Sequence, residues 1–250
     1  MGNRGSMKPS RKRLDVLLVE RELAQSRHRA LALILAGEVW VDGERITKAG
    51  SLVPVNCAIK ITGRDIPYVS RGGIKLEAAL SAFKVDVTGI TCLDVGASTG
   101  GFTDCLLKHG AKHVTAVDVG YGQLHWELRS DPRVKVIERA NIRYLDAGAL
   151  PCPVDLICID VSFISLKIVV PAVLKFLQQP GCIICLVKPQ FEVGKGLVGK
   201  GGVVRDPALH NAVIDDLSRT FQDLNLKVLG VIASPILGPK GNREFLMHLQ

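Results

Sequence analysis

Four charged residues adjoin long apolar runs in the sequence. Asp160 ends the run in LICIDVSF, Lys188 ends the run in CLVKPQF, Glu244 precedes the last run in GNREF, and Lys75 lies on a helical pattern upstream. A weakly acidic hydroxyl becomes a good nucleophile only beside a base or an oxygen-stabilising cation, and a lysine can supply either. The four residues therefore indicate activation of a hydroxyl group. Taken singly, Lys75 and Glu244 are equally consistent with surface charges, and Asp160 with a helix cap.

The glycine-rich turn LDVGASTGGFTD, residues 93–104, is typical of a ligand cradle at the end of a strand. Its spacing, G-x-x-x-G-G, differs from the dinucleotide fingerprint G-x-G-x-x-G, so phosphate binding is not the favoured use. S-adenosylmethionine fits better, because Asp118 ends the next strand and can accept hydrogen bonds from ribose hydroxyls. A turn that serves only packing is the alternative. The predicted donor-binding residues are Asp94, Gly96, Ala97, Ser98, Thr99, Gly100, Phe102, Asp118, Val119 and Asp160.

A second glycine-rich segment, GKGLVGKG at residues 194–201, nearly matches the phosphate-binding G-x-x-x-x-G-K-[ST] loop. Gly201 replaces the metal-binding hydroxyl, and the next helix begins only near Asp206 and Pro207. The segment is therefore interpreted as a mobile basic lid, in which Lys195 and Lys200 contact substrate.

Strand and helix patterns alternate along most of the chain, which predicts an α/β fold. A helix is expected over residues 74–84, and only a short Gly-Pro-rich link separates the last two strands. That short link implies a reversed last strand, so the domain resembles the seven-stranded methyltransferase variant of the Rossmann fold. The predicted strands are 91–96, 113–119, 134–140, 154–161, 182–188, 226–233 and 244–249.

The amino-terminal quarter has a different pattern, with two short amphipathic helices and a hairpin at Asp42-Gly43. Ser26 is the expected cap of the second helix. The pattern SRxxAxxLIxAGxVxVDG resembles the S4 RNA-binding module, a small α+β domain, and implies an RNA face that includes Arg27, Arg29 and Lys48. A solvated helix face is the alternative reading of these charges. The expected organisation is an expression remnant at 1–6, the S4-like domain at 7–63, a linker at 64–73 and the methyltransferase domain at 74–250.

Charge and cysteine usage narrow the class of protein. Residues 1–65 hold 12 basic and 7 acidic side chains, so they carry +5 of the net charge of +8, as expected for a module that binds a polyanion.

The 7 cysteines lie mostly in apolar runs, which predicts reduced, buried thiols in a cytoplasmic protein. Cys182 and Cys185 would face opposite sides of a strand, so no metal site is expected. Neither a spanning helix nor a secretory signal is visible.

Together the motifs SRGGIKLEAAL, LDVGASTGGFTDCLL, VDVGYGQL, IDVSFISL and LVKPQFE closely resemble the TlyA/haemolysin A family. The resemblance implies S-adenosylmethionine-dependent methylation of ribose 2′-hydroxyls, of cytidine, in ribosomal RNA or ribosomal subunits. It also implies that Lys75, Asp160, Lys188 and Glu244 form the tetrad of FtsJ-type 2′-O-methyltransferases. Lys188 would act on the 2′-oxygen, Asp160 would orient it, and the other two would tune and position them, without a metal or a membrane.

Two other functions remain open on the sequence: a non-catalytic RNA-binding factor and a membrane-lytic haemolysin. Gly96→Val is expected to block the methyl donor without unfolding the sheet.

Overall fold

The structure is a computed structural model that describes residues 10–250, except positions 25, 36, 49, 62–65 and 151–152 and the side chains of His28, Ala32 and Lys195. The chain divides into two compact units, Met1–Asp65 and Ile66–Gln250. The expected expression remnant at 1–6 lies outside the described residues, and so do positions 64 and 65 of the predicted linker.

The first unit contains two helices packed on small sheets. Its helices are α1 (Leu14–Glu20) and α2 (Arg27–Leu35), and its strands are β1 (Arg11–Arg13), β2 (Val39–Val41), β3 (Glu44–Ile46), β4 (Leu52–Pro54) and β5 (Ile59–Ile61). The order β3-β2-β5 makes one sheet, while β1 pairs with β4. The predicted cap is confirmed, because the Ser26 hydroxyl accepts a hydrogen bond from the Arg29 backbone N–H at 3.1 Å. The predicted hairpin is confirmed by antiparallel pairing of β2 with β3.

The second unit is an α/β domain. Its strands are β6 (Thr91–Val95), β7 (His113–Val117), β8 (Val134–Ile137), β9 (Val154–Ile159), β10 (Leu177–Val187), β11 (Val228–Ala233) and β12 (Phe245–Leu249). Its helices are α3 (Gly72–Phe83), α4 (Gly101–Lys108), α5 (Trp126–Ser130), α6 (Leu166–Val173), α7 (Pro189–Glu192) and α8 (Pro207–Asp223). Short 3₁₀ turns occupy Ile142–Tyr144, Ala147–Ala149, Leu174–Phe176, Lys195–Leu197 and Pro239–Gly241.

The seven-stranded sheet has the order β11-β12-β10-β9-β6-β7-β8. Strand β12 is antiparallel to both of its neighbours, so the predicted fold with a reversed last strand is confirmed. The reversed strand lies between β10 and β11 rather than at the edge of the sheet. This insertion brings the residue before β12 next to the residue after β10.

Helices cover both faces of the sheet, because its central strands are apolar on both sides. One core contains the Cys185 face of β10 together with α6 and α8, and the other contains α3 and α4. Cys182 packs against the second core, so the two cysteines face opposite sides as predicted.

The predicted parallel strands end one to three residues too late, because the chain leaves the sheet just before the polar residues at its carboxyl edge. Asp118 and Asp160 follow their strands directly. Helix α3 begins at Gly72 rather than at 74. Gly73, in its first turn, packs against the ring of Tyr68, where a Cβ would collide. The part of the predicted linker from Ile66 onward therefore belongs with the second unit.

Candidate active site

Lys188 and Asp160 form an ion pair at the carboxyl edge of the sheet. The Nζ of Lys188 lies 2.6 Å from Oδ1 of Asp160 and donates a hydrogen bond to the Ser162 hydroxyl at 3.0 Å. Lys188 is buried and Asp160 is half-buried. The first follows β10 and the second follows β9, its parallel neighbour. The pair therefore joins the ends of two adjacent strands.

Lys75 and Glu244 form a second ion pair, with 2.5 Å between Nζ and Oε2. Both residues are buried, and Oε1 of Glu244 has no hydrogen-bond partner among the described residues. Gly238 packs directly against the Glu244 carboxylate, where a Cβ would collide with it. A buried carboxylate oxygen without a donor is costly unless a ligand supplies one.

Strand register brings the two ion pairs to the same edge. Val187 pairs with Phe245 across β10 and β12, and continuing this antiparallel register places Lys188 opposite Glu244. Lys75 reaches the same edge from α3 through its contact with Glu244. The structure thus gathers the four residues that the sequence singled out.

The glycine-rich turn follows β6 at this edge. Gly96 has φ +84°, and a Cβ there would collide with the carbonyl oxygen of Asp160 and lie 3.2 Å from Val161. The expectation that Gly96→Val spares the sheet is therefore wrong, because the change strains the backbone and pushes on the Asp160 segment itself. Gly100 also has positive φ, +96°, and packs under leucine side chains of the neighbouring segment.

Asp94 is completely buried beneath the turn. Its Oδ2 accepts hydrogen bonds from the Thr103 backbone N–H at 3.0 Å and hydroxyl at 2.6 Å, while Oδ1 has no partner among the described residues. Burial raises the pKa of Asp94 to about 7, and the hydrogen bonds from Thr103 oppose that rise. Asp94 therefore holds the start of α4 through Thr103, while its Oδ1 is buried without a hydrogen-bond partner among the described residues.

Asp118 lies at the end of β7, as predicted. Its two oxygens accept hydrogen bonds from the backbone N–H groups of Ser98 at 2.8 Å and Gly120 at 2.6 Å. These bonds tie the glycine-rich turn to the end of β7, and each oxygen retains a lone pair. Val119 is exposed beside Asp118.

The remaining predicted donor-binding residues differ in their surroundings. Ser98 is exposed with φ +48°, and the Thr99 carbonyl accepts a hydrogen bond from the backbone N–H of His125 at 3.2 Å. Ala97 and Phe102 are buried in the core beneath the turn. Phe102 therefore supports the turn from below, and its contact with the methyl donor stays a prediction.

Comparison with known protein families shows which family this chain belongs to. The family model of FtsJ-like methyltransferases matches residues 68–250, and that of the S4 domain matches residues 12–56. The chain belongs to the FtsJ-like methyltransferase family. Its relatives include the 16S/23S rRNA (cytidine-2′-O)-methyltransferase TlyA of Mycobacterium tuberculosis, 50% identical across 96% of this chain and 90% of that one. Hemolysin A of Brachyspira hyodysenteriae is 41% identical across 94% of this chain and 98% of that one.

A solved structure has a similar fold. A protein from Streptococcus thermophilus assigned as a hemolysin matches with TM-score 0.77 and 42% identity, over 97% of this chain and 89% of that one. Within the described part of this FtsJ-like chain, no helix has the length and apolar character needed to cross a membrane.

The sequence reasoning missed Phe163 of this FtsJ-like domain. Its side chain is 90% exposed, its backbone has φ +63°, and its ring lies 4.9 Å from that of Phe191. A non-glycine residue with positive φ is uncommon and often marks a functional segment. The signal available in the sequence was an aromatic residue three positions after Asp160 in a turn.

The glycine-rich segment 194–201 of the FtsJ-like domain is followed by residues that are hydrogen-bonded to the segment before β12. The Asn242 side chain donates to the Gly202 carbonyl at 3.0 Å and accepts from the Val204 N–H at 3.1 Å. Lys200 is exposed, whereas the Lys195 side chain lies outside the described residues. Helix α8 begins at Pro207 with Asp206 as its cap, as predicted. The mobility of this loop stays a prediction.

On the S4 unit, Arg27 has a structural partner that the sequence did not reveal. Arg13 and Arg27 both bind the buried carboxylate of Asp15, at 2.9 and 2.8 Å. The hydrogen bond from Arg13, followed by that from Arg27, lowers the pKa of Asp15 to about 2 against the opposing effect of burial. Lys48 is exposed. Arg27 thus combines an internal ion pair with an exposed guanidinium.

Proposed function

We propose that the protein methylates the 2′-hydroxyl of cytidine in ribosomal RNA, with S-adenosylmethionine as methyl donor. The observation that carries the proposal is the pairing of Lys188 with Asp160 and of Lys75 with Glu244 at one edge of an FtsJ-like sheet. The name of the 50% identical relative states the same chemistry for that protein. The substrate is inferred from this likeness and from the S4 unit.

The turn after β6 fits the proposed donor. Oδ1 of Asp94 is a buried acceptor without a partner among the described residues, and each Asp118 oxygen retains a lone pair beside its hydrogen bond. An ammonium group and ribose hydroxyls are the donors that these oxygens would accept. The bound sulfonium would supply an electrophilic methyl group and a neutral thioether leaving group, so the protein needs to manage only the hydroxyl proton.

Lys188 is placed to act on the ribose oxygen. A 2′-hydroxyl in line with the methyl group must lose its proton as the new C–O bond forms. The Lys188 amine can take that proton, or its ammonium form can stabilise the developing oxyanion. Asp160 and Ser162 restrict the position of Nζ through contacts of 2.6 and 3.0 Å.

Lys75 and Glu244 position this centre. Continuing the register of β10 and β12 places Glu244 on the strand that flanks Lys188 on the side away from β9. Lys75 neutralises the Glu244 carboxylate at 2.5 Å and holds it. Oε1 of Glu244 is covered by Gly238 and has no hydrogen-bond partner among the described residues.

The S4 unit is proposed to supply most of the RNA affinity through Arg27, Arg29 and Lys48. Phosphate contacts from such residues position RNA without reading its sequence. In the catalytic unit, Lys195 and Lys200 of the glycine-rich loop are the proposed contacts. The exposed Phe163 ring, three residues after Asp160, offers a stacking surface for an unpaired base.

Transfer of a labelled methyl group tests the proposal. The full chain is incubated with labelled S-adenosylmethionine and ribosomal subunits, and the product is digested to locate the modified nucleoside. Label in 2′-O-methylcytidine, absent with Lys188→Ala, is expected. RNA binding without label would identify a non-catalytic factor, label on a base would refute ribose chemistry, and lysis of erythrocytes without label would favour a haemolysin.

A further inference from the structure

Glu192 links the two segments that carry the Lys188–Asp160 ion pair. Its Oε2 accepts a hydrogen bond from the Ser165 hydroxyl at 2.5 Å, and its Oε1 accepts one from the Leu166 backbone N–H at 2.9 Å. Ser165 is also the cap of α6, accepting from the Lys167 N–H at 3.1 Å. A single carboxylate therefore joins the start of α6 to the end of α7.

On one side, Glu192 is rigidly connected to Lys188. Helix α7 starts at Pro189, immediately after the lysine, and Glu192 is its last residue. The Phe191 N–H donates to the Lys188 carbonyl at 2.9 Å, and the Val193 N–H donates to the Pro189 carbonyl at 3.0 Å. One helical turn thus separates the carboxylate from the lysine.

On the other side, Glu192 holds the far end of the segment that begins with Asp160. The near end is fixed, because the Asp160 N–H donates to the Val95 carbonyl at 2.9 Å. Between the ends lie Ser162, which contacts Lys188, and Phe163, whose positive φ of +63° strains the turn. Such a segment needs an anchor at both ends to keep one conformation.

Burial of the Glu192 carboxylate disfavours its charged form. Burial raises the pKa of Glu192, with the bonds from Leu166 and Ser165 opposing that rise. The Glu192 side chain is half-buried, and both of its carboxylate oxygens accept hydrogen bonds. Both partners lie in the Asp160 segment or directly after it.

We propose that Glu192 is a positioning residue for methyl transfer: it sets the geometry between Lys188 and Asp160 by joining their segments at Ser165 and Leu166. The inference rests on the proposed function of Lys188. Glu192 itself touches none of the reacting atoms in this arrangement and acts through the ion pair.

A double-mutant cycle in the full chain tests this role. Glu192→Ala is expected to lower kcat by about 10-fold or more, on the scale of a misplaced catalytic group, with the KM for S-adenosylmethionine changed less than about twofold. In a Lys188→Ala background the same change is expected to lower the rate no further, because the group it positions is gone. Glu192→Gln keeps an acceptor for Leu166 and a donor for Ser165, so it is expected to restore most of the rate.

Asp216→Ala is the matched control. It removes the ion pair of 2.5 Å between Lys167 and Asp216, which ties the first turn of α6 to α8 without using the Glu192 carboxylate. Its kcat is expected to stay within about twofold of wild type. Ser165→Ala, which removes one of the two contacts, serves as a second variant if Glu192→Ala does not fold.

The outcomes separate the two proposals. A slow Lys188→Ala enzyme in which Glu192→Ala or Ser165→Ala still multiplies the loss overturns the role of Glu192 and leaves the proposed function standing. An Asp216→Ala enzyme as slow as Glu192→Ala also overturns it, since any loosening of α6 would then suffice. Full activity in Lys188→Ala overturns both proposals.

Discussion

Lys188 and Asp160, which end neighbouring parallel strands, lie 2.6 Å apart between Nζ and Oδ1. Carboxyl ends of parallel strands are where α/β proteins bind ligands, because the loops there leave the sheet on one side. Both residues follow strands buried on two faces, so neither charge can reach bulk water as easily as a surface residue. The pair thus lies at the edge of the sheet where α/β proteins bind their ligands.

Lys188 is expected to dominate the transfer rate. Lys188→Ala should lower kcat by about 10²-fold or more while binding of donor and RNA stays near wild type, since the lysine acts on the reacting oxygen. Lys188→Arg should not restore the rate if the amine accepts a proton, because a guanidinium stays protonated. Single-turnover rates and separate binding titrations measure these effects. An active Arg variant would show that only the positive charge is needed, and an active Ala variant would remove the tetrad from the chemistry.

Arg27 and Arg29 are both expected to contribute to RNA binding, and protein stability is expected to distinguish them. Each Ala substitution should flatten the dependence of RNA affinity on salt by roughly one unit per lost phosphate contact. Arg27→Ala should also destabilise the S4 unit by about 1–3 kcal/mol, because Asp15 then keeps only Arg13. Lys60→Ala, an exposed cation on β5, is the control. Salt slopes that match this control in both variants would make these arginines ordinary solvated charges, and thermal unfolding reports the second effect.

Asp94 is expected to couple donor binding to pH. Because burial raises its pKa to about 7, part of the donor-free protein carries a proton there at pH 7. A donor ammonium at Oδ1 favours the ionised form, so binding should release a fraction of a proton and tighten as the pH rises towards 7 and above. Calorimetry in two buffers of different ionisation enthalpy measures the release. Asp94→Asn should release none from this site, and equal release from both proteins would exclude Asp94.

The raised pKa of Asp94 is expected to make the folded protein less stable as the pH rises, although donor binding tightens. The folded pKa lies above the unfolded value of 3.8, so the folded protein binds this proton more tightly. Its contribution to the free energy of unfolding is therefore greatest below about pH 4, declines as the pH rises to about 7, and is constant above. Denaturant titrations between pH 4 and 8 should show that the free energy of unfolding of the wild type falls, relative to that of Asp94→Asn, as the pH rises to about 7. Two curves that stay parallel over this range would contradict the raised pKa.

Local signals in the sequence predicted much of this protein. Alternating apolar runs and helical periods identified seven strands, and the short link before Glu244 identified the reversed one, because periodicity and turn chemistry are properties of neighbouring residues. Lys188 and Asp160 were recognisable because each interrupts an apolar run at its end. The family resemblance, carried by long motifs, supplied their proposed roles.

Tertiary structure alone decided which of these residues meet. Lys75 and Glu244 are 169 positions apart, and their contact depends on β12 entering the sheet between β10 and β11. Two other contacts also join distant segments. A Cβ at Gly96 would collide with the carbonyl oxygen of Asp160, and Arg27 forms an ion pair with Asp15. Periodicity carries no information on such partners, because they are set by how packed elements face one another after the chain has folded.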